Sequence, residues 1–352
     1  MANVEDLIAF TSLGMLILDE VHLPCGKVVE NVIGGSGCFA SLGARLFSPK
    51  NLSTQVGWTI RKGHDFPAET LRQLETWGMT LSVIQEDKCP STRGQLKYLD
   101  STFATKVFKY ITPTLTIQPE HLRNTRLLTS RGFHLFVDPT QIIEQTTQLQ
   151  ELRKAASITA RPTVVWEPKA YSCVPENLQA FVEAMRIVNV FSPNHIELAR
   201  IVNKKVPPIP DEKFLEDLCA PFFHPQDDGS TPQTALVVRA GDQGCFVKSY
   251  TEQKWLPAYY APQDNTEAIT RVSKVLDTTG AGNAFLGALT ITLLMCSEDV
   301  IFAACAGNVA ASFVVEQVGV PKLSSSGDGT DLWNGEDVSA RFQAYRARLG
   351  HH

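Results

Sequence analysis

Apolar residues fall along this chain in short runs separated by amphipathic stretches. The first run, LIAFTSLGMLIL at 7–18, is continuous and stops at Asp19 and Glu20, the pattern of a buried strand that ends at a functional edge. Further strands are expected through Val56, at LFV (135–137), TVVWE (163–167), IVNVF (187–191) and ALVVR (235–239). Between them, GCFASLGARLF (37–47), the segment 66–77 stopped by Gly78, and PTQIIEQTTQLQELRKAAS (139–157) read as helices. Strands alternating with helices predict a mostly parallel sheet with helices on both faces.

Two segments depart from this pattern. GKVVENVI (26–33) and GQLKYLDSTFATKVFKY (94–110) alternate β-branched with polar residues, as half-exposed strands do, and together predict a small sheet covering one end of the main body. The chain therefore reads as a single domain over 1–352, with a lid contributed by about 20–36 and 90–112. The turn-rich stretches 222–234 and 324–335 read as surface loops. The apolar segment 285–296 has 12 residues, short of the roughly 20 that span a bilayer, and reads as a buried core helix.

Charge and composition exclude several partners. A net charge of -5 without a Lys/Arg stripe argues against nucleic acid, and the 43% hydrophobic content suits a globular protein that does not engage a membrane. Eight cysteines with no C-x-x-C pair give neither zinc spacing nor a disulfide framework. The acidic start MANVEDLIAF lacks secretory features, so a cytoplasmic location is expected. His351 and His352 read as a tag remnant and are set aside from any metal argument.

The chemistry concentrates in DTTGAGNAF. Gly280, Ala281 and Gly282 precede a long apolar helix, so their amides can converge on one spot where the helix dipole adds positive potential. Such a turn is an anion cradle. A strand-to-helix turn that needs glycine for geometry alone is the plainer alternative.

Extended to Asp277, this segment resembles the C-terminal signature D-T-x-G-A-G-D of the ribokinase-like (PfkB) family of carbohydrate and nucleoside kinases, matching at every position but the last. The resemblance implies an α/β fold, a ribokinase-like mostly parallel central sheet flanked by helices with a small β-sheet lid. It also implies ATP and Mg2+ as cofactors and a small-molecule substrate. Asn283 then stands where the family has its proton acceptor, while Gly280, Ala281 and Gly282 keep the transferring phosphoryl group.

Other positions extend the resemblance. Asn194 and Glu197 match the N-x-x-E element near magnesium and phosphates, and an isolated N-x-x-E would otherwise read as a helix cap. Gly241 and Gly244 in RAGDQGCFV match the nucleotide-side turn, where a plain hairpin is the alternative. Asn308 falls where the family packs against the base, unless it is a buried polar group satisfied by backbone. On the acceptor side, Asp19, Gly34 and Gly35 match, whereas Phe39 stands where an Asn is usual and argues against an ordinary sugar in that pocket. Glu167 occupies a place where relatives often carry an acid, or is a solvated strand-end carboxylate. Lid sheets in the family can pair between subunits, which implies a homodimer through the lid.

An amide does not accept a proton near neutral pH, and lost general-base help is worth about 10² to 10⁴ in rate, roughly 3 to 5.5 kcal/mol. Three readings of Asn283 follow. The acceptor needs no deprotonation, as a carboxylate or phosphate would not; or Asp277 or Asp19 serves as base; or the chain is a degenerate or repurposed PfkB-fold protein that binds a nucleotide or small molecule for regulation, scaffolding or a non-kinase reaction.

Overall fold

The structure is a computed structural model that describes residues 7–100, 105–223, 234–261, 274–296 and 299–350. The opening apolar run is two strands, β1 (Phe10–Ser12) and β2 (Ile17–His22), which belong to different sheets. The chain changes direction at Gly14, where a Cβ would lie 2.4 Å from the Gly37 nitrogen. Both strands are largely buried, so hydropathy runs through the bend without a break. Asp19 consequently sits inside β2, opposite Val32 and Gly94, and not at the edge of the main sheet as expected from the run.

β2 joins β3 (Val28–Gly34), β6 (Arg93–Tyr98) and β7 (Lys106–Tyr110) in a four-stranded sheet of order β3-β2-β6-β7. This is the small sheet expected at 26–33 and 94–110, enlarged by β2. The main sheet contains β1, β4 (Val56–Gly63), β5 (Thr80–Glu86), β8 (Gly132–Val137), β9 (Thr163–Pro168), β10 (Val190–Phe191), β11 (Ala235–Arg239), β12 (Cys245–Lys248) and β13 (Gln253–Leu256). Its order is β13-β12-β11-β10-β9-β8-β1-β4-β5, parallel except for the antiparallel edge made by β12 and β13. From β1 the chain proceeds outward through β4 and β5, then returns to β8 and proceeds the other way. The order reverses between β1 and β8, and in open α/β sheets the carboxyl ends at such a point form the ligand crevice.

Helices cover both faces. α1 (Ser36–Leu46), α2 (Ala68–Glu75) and three C-terminal helices, α7 (Ala281–Met295), α8 (Val300–Val314) and α9 (Val338–Arg348), share one core. α3 (Pro139–Ala155), α4 (Leu178–Met185), α5 (His195–Ile201) and α6 (Glu212–Cys219) build the other. Among the described residues, no helix is long and apolar enough to cross a membrane.

The stretch expected as a surface loop at 324–335 is mostly exposed but carries an antiparallel ribbon of β14 (Leu323–Ser325) and β15 (Asp331–Trp333), followed by a turn at Asn334 and Gly335. Trp333 is buried, and Asp331 pairs with the buried Arg45 of α1. Most of the 222–234 segment, and His351 and His352, lie outside the described residues.

α1 and α7 approach at backbone distance. A Cβ on Gly287 would lie 1.8 Å from the Ala40 carbonyl oxygen, and one on Gly43 would lie 1.9 Å from that of Ala284. Neither backbone can yield without parting the helices that carry the site. Gly287→Ala is expected to destabilise the chain by about 1–3 kcal/mol or more, measured by denaturant unfolding. An unchanged midpoint would contradict this packing.

Candidate functional site

The head of α7 lies at the carboxyl ends of the strands. Gly280 caps the helix in the left-handed conformation, φ 82°, and no side chain caps the helix. Ala281 N–H bonds to the Thr278 carbonyl at 3.3 Å and Ala284 N–H to that of Gly280 at 3.0 Å. Among the described residues no hydrogen bond reaches the N–H groups of Gly282 or Asn283. Of the three donors expected from the glycine pattern, those of Gly280 and Gly282 make no hydrogen bond among the described residues, that of Ala281 is spent on Thr278, and Asn283 adds a further unbonded N–H. With the dipole of a 15-residue helix behind them, these N–H groups put positive partial charge at the turn where an anion cradle was expected.

The turn before them is braced. Asp277 Oδ1 accepts from the Thr279 N–H at 2.9 Å and its hydroxyl at 2.7 Å. Lys106, on lid strand β7, reaches across to Asp277 at 3.3 Å and to the Thr279 hydroxyl at 2.7 Å. Asp277 is thus a structural acceptor, committed to the turn and to a cation. Phe39 is 2% exposed, and its ring lies under Gly280, where a Cβ would be 2.3 Å from the ring. The ring supports the turn from the core instead of offering surface to a substrate, which removes the basis for reading it as a specificity residue.

Asn283 is not isolated. Its Nδ2 donates to Glu167 Oε2 at the end of β9. Glu167 Oε1 pairs with Arg239 Nη1 at 2.8 Å, and Arg239 Nη2 donates to the Ser192 carbonyl at 2.9 Å. His134, fully buried on β8, lies 3.5 Å from Glu167 and 3.1 Å from the Ser12 hydroxyl. Burial pushes Glu167 toward its neutral form, but the Arg239 charge and His134 outweigh it, and its pKa falls below the usual carboxylate value. It is a buried, paired anion and not the solvated strand-end acid considered above. Arg239 also stands against the helix head, since a Cβ on Gly282 would lie 2.3 Å from its Nη1.

On β2, Asp19 is buried, and its Oδ1 has no hydrogen-bond partner among the described residues. Burial, followed by the negative charge of Asp277, raises its pKa to about 7. Gly34 and Gly94 leave room for this carboxylate, because a Cβ on either would lie within 2.4 Å of one of its oxygens. Gly35, φ 95°, then turns the chain into α1.

Asn194 and Glu197 form a reciprocal capping box at the start of α5. Asn194 Oδ1 accepts from the N–H groups of Ile196 and Glu197 at 3.0 and 2.9 Å, and Glu197 Oε2 accepts from the Asn194 N–H at 2.8 Å. Asn194 is therefore a helix cap, while Glu197 is buried, 3.7 Å from Arg239, with its pKa raised by burial. Its Oε1 makes no hydrogen bond among the described residues, and no cluster of three or more metal-type side chains occurs among them. This donor set suits a hydrated magnesium ion carried mainly by phosphates, not a protein cage.

Gly241 and Gly244, φ 63° and 97°, turn β11 into β12 as expected. Asn308 is buried, and its amide donates to the Tyr345 hydroxyl at 2.9 Å and the Pro257 carbonyl at 3.4 Å. Its donors are spent inside the core, the plainer of the two readings. The pattern missed Arg239, Lys106 and His134. Arg239 stands beside the glycines of RAGDQG, but only the three-dimensional approach to Gly282 reveals its place.

Residues 6–325 match the family model described as pfkB family carbohydrate kinase. The chain is 31% identical to an uncharacterized protein of Schizosaccharomyces pombe, covering 98% of this chain and 94% of that protein. It is 27% identical to protein MAK32 of Saccharomyces cerevisiae, covering 99% and 96%. Among solved structures it is similar to ribokinase from Giardia lamblia, with a TM-score of 0.66 at 15% identity over 97% of this chain and 99% of that one. A putative ribokinase II from E. coli, in complex with ATP and Mg2+, gives a TM-score of 0.64 at 15% identity over 97% and 100%. With a family match over nearly its whole length, a ribokinase-type sheet and lid, and the signature turn at the strand ends, the chain belongs to the pfkB carbohydrate kinase family.

Proposed function

We propose that this protein is an ATP-dependent phosphotransferase acting on a hydroxyl-bearing small molecule, with Asp19 in place of the missing proton acceptor. The observation that carries the proposal is the electrostatic proximity of Asp19, a buried carboxylate with its pKa raised to about 7, to Asp277, which braces the turn leading to the unbonded Gly282 and Asn283 N–H groups. The similarity in fold to an ATP- and Mg2+-bound structure supports the choice of nucleotide.

The γ-phosphate would rest on the Gly282 and Asn283 amides, with Arg239 and Lys106 supplying positive charge at its edges. A magnesium ion, bound with the nucleotide and held through water by Glu197, would neutralise charge on the β- and γ-phosphates. The acceptor oxygen attacks the γ-phosphorus, the bond from that phosphorus to the bridging oxygen breaks, and ADP leaves. The acceptor's proton passes to Asp19. Asp277 braces the turn instead, its Oδ1 bonded to Thr279 and paired with Lys106.

Two outcomes are expected. ATP with magnesium at about 100 times its Kd should stabilise the fold by roughly 2.7 kcal/mol in thermal unfolding. Gly282→Asp should remove that protection, because its carboxylate repels a triphosphate and its Cβ, 2.3 Å from Arg239 Nη1, displaces the guanidinium from the helix head. Equal protection of parent and variant would place the nucleotide elsewhere.

Turnover against a panel of hydroxyl compounds gives the second. Asp19 accepts a proton only when ionised, so the rate should rise as pH increases through about 7. Asp19→Asn should lose that limb and about 10² or more in rate. A pH limb that survives the substitution would assign proton transfer to another group.

A further inference from the structure

We propose that Glu167 is the positioning residue of Asn283, and that the two form one unit of fixed polarity, with the carboxylate on the strand and the amide on the helix. On this view the amide at 283 is required by its neighbour. The Nδ2–Glu167 hydrogen bond sets the rotation of the carboxamide, so that its oxygen is turned away from the anion. Among the described residues no hydrogen bond engages that oxygen, and Asn283 is only partly buried. It presents an acceptor to the cleft. Combined with the phosphotransferase reading, on which this step rests, the site would select a substrate that offers an O–H or N–H at the helix head, holding that group without deprotonating it.

The charges around the pair explain the polarity. Arg239 on β11 faces Glu167 at 2.8 Å, Glu197 on α5 lies 3.7 Å behind Arg239, and His134 on β8 lies 3.5 Å from Glu167. One guanidinium thus already serves two carboxylates. A carboxylate at 283 would press against Glu167 in a buried setting and add a third negative charge to that single cation. Either the two acids share a proton or the contact breaks. Exchanging both residues, however, keeps the hydrogen bond and the net charge of the cluster, with its direction reversed.

The test uses the full chain without nucleotide, so that its failure is separable from failure of the kinase reading. Asn283→Asp, Glu167→Gln and the double variant are unfolded thermally from pH 5.5 to 8.5. Asn283→Asp should match the parent near pH 5.5, where the pair can share a proton, and fall by roughly 5 °C or more at pH 8. The double variant should recover most of that loss at pH 8 and lose the pH dependence that distinguishes Asn283→Asp from the parent. A merely space-filling asparagine would give neither the pH-dependent gap nor the rescue. The proposal is overturned if Asn283→Asp is as stable as the parent at pH 8, or if the double variant is no more stable than the sum of the single effects allows.

Discussion

A carboxylate removed from water must find compensation in opposite charge and hydrogen bonds, and the site is organised around one that does. Glu167 is buried at the end of β9, and its partners come from three other elements: Arg239 from β11, Asn283 from α7 and His134 from β8. Breaking such a pair from one side typically costs about 3–5 kcal/mol, because the remaining charge stays buried. The anion therefore ties the helix head to the strand ends, and the outward N–H groups of Gly282 and Asn283 inherit their position from it.

This arrangement changes the meaning of the asparagine. Considered alone, Asn283 is an acid that has lost its proton-accepting capacity. Considered with Glu167 and Arg239, it is the neutral donor that a crowded anionic site can accommodate. On the phosphotransferase proposal, proton transfer would fall to another group. Of the two acids considered, Asp277 is consumed by Thr279 and Lys106, whereas Asp19 keeps an unpartnered oxygen and a pKa near neutrality. Lys106 joins the two halves of the cleft, since the lid strand that carries it reaches the turn before α7.

Much of the architecture was legible in the sequence because strands buried on both faces read as continuous apolar runs, and amphipathic helices separate them. The same continuity concealed the bend between β1 and β2. Residues 7–18 are almost entirely buried, so nothing in their hydropathy marks where the chain leaves one sheet for another. The signature turn was legible because its glycines answer to geometry, and Gly280 does adopt the left-handed conformation. The surroundings of a side chain were not. Phe39, Asn308 and Glu167 occupy positions that suggested contact with ligand, yet each is determined by distant partners: Gly280, Tyr345 and Arg239. Contacts of that kind join residues more than 35 positions apart in the chain, and no local pattern records them.

The proposed phosphotransfer requires the head of α7 to receive the terminal phosphate of a nucleotide. The most direct measurement is a crystal structure of the chain with a non-hydrolysable ATP analogue and magnesium. The γ-phosphate oxygens are expected within hydrogen-bond reach of the Gly282 and Asn283 main-chain nitrogens, with Asn283 Nδ2 still on Glu167. A triphosphate bound away from this turn, or an Asn283 carboxamide released from Glu167 and turned toward the phosphate, would contradict that expectation.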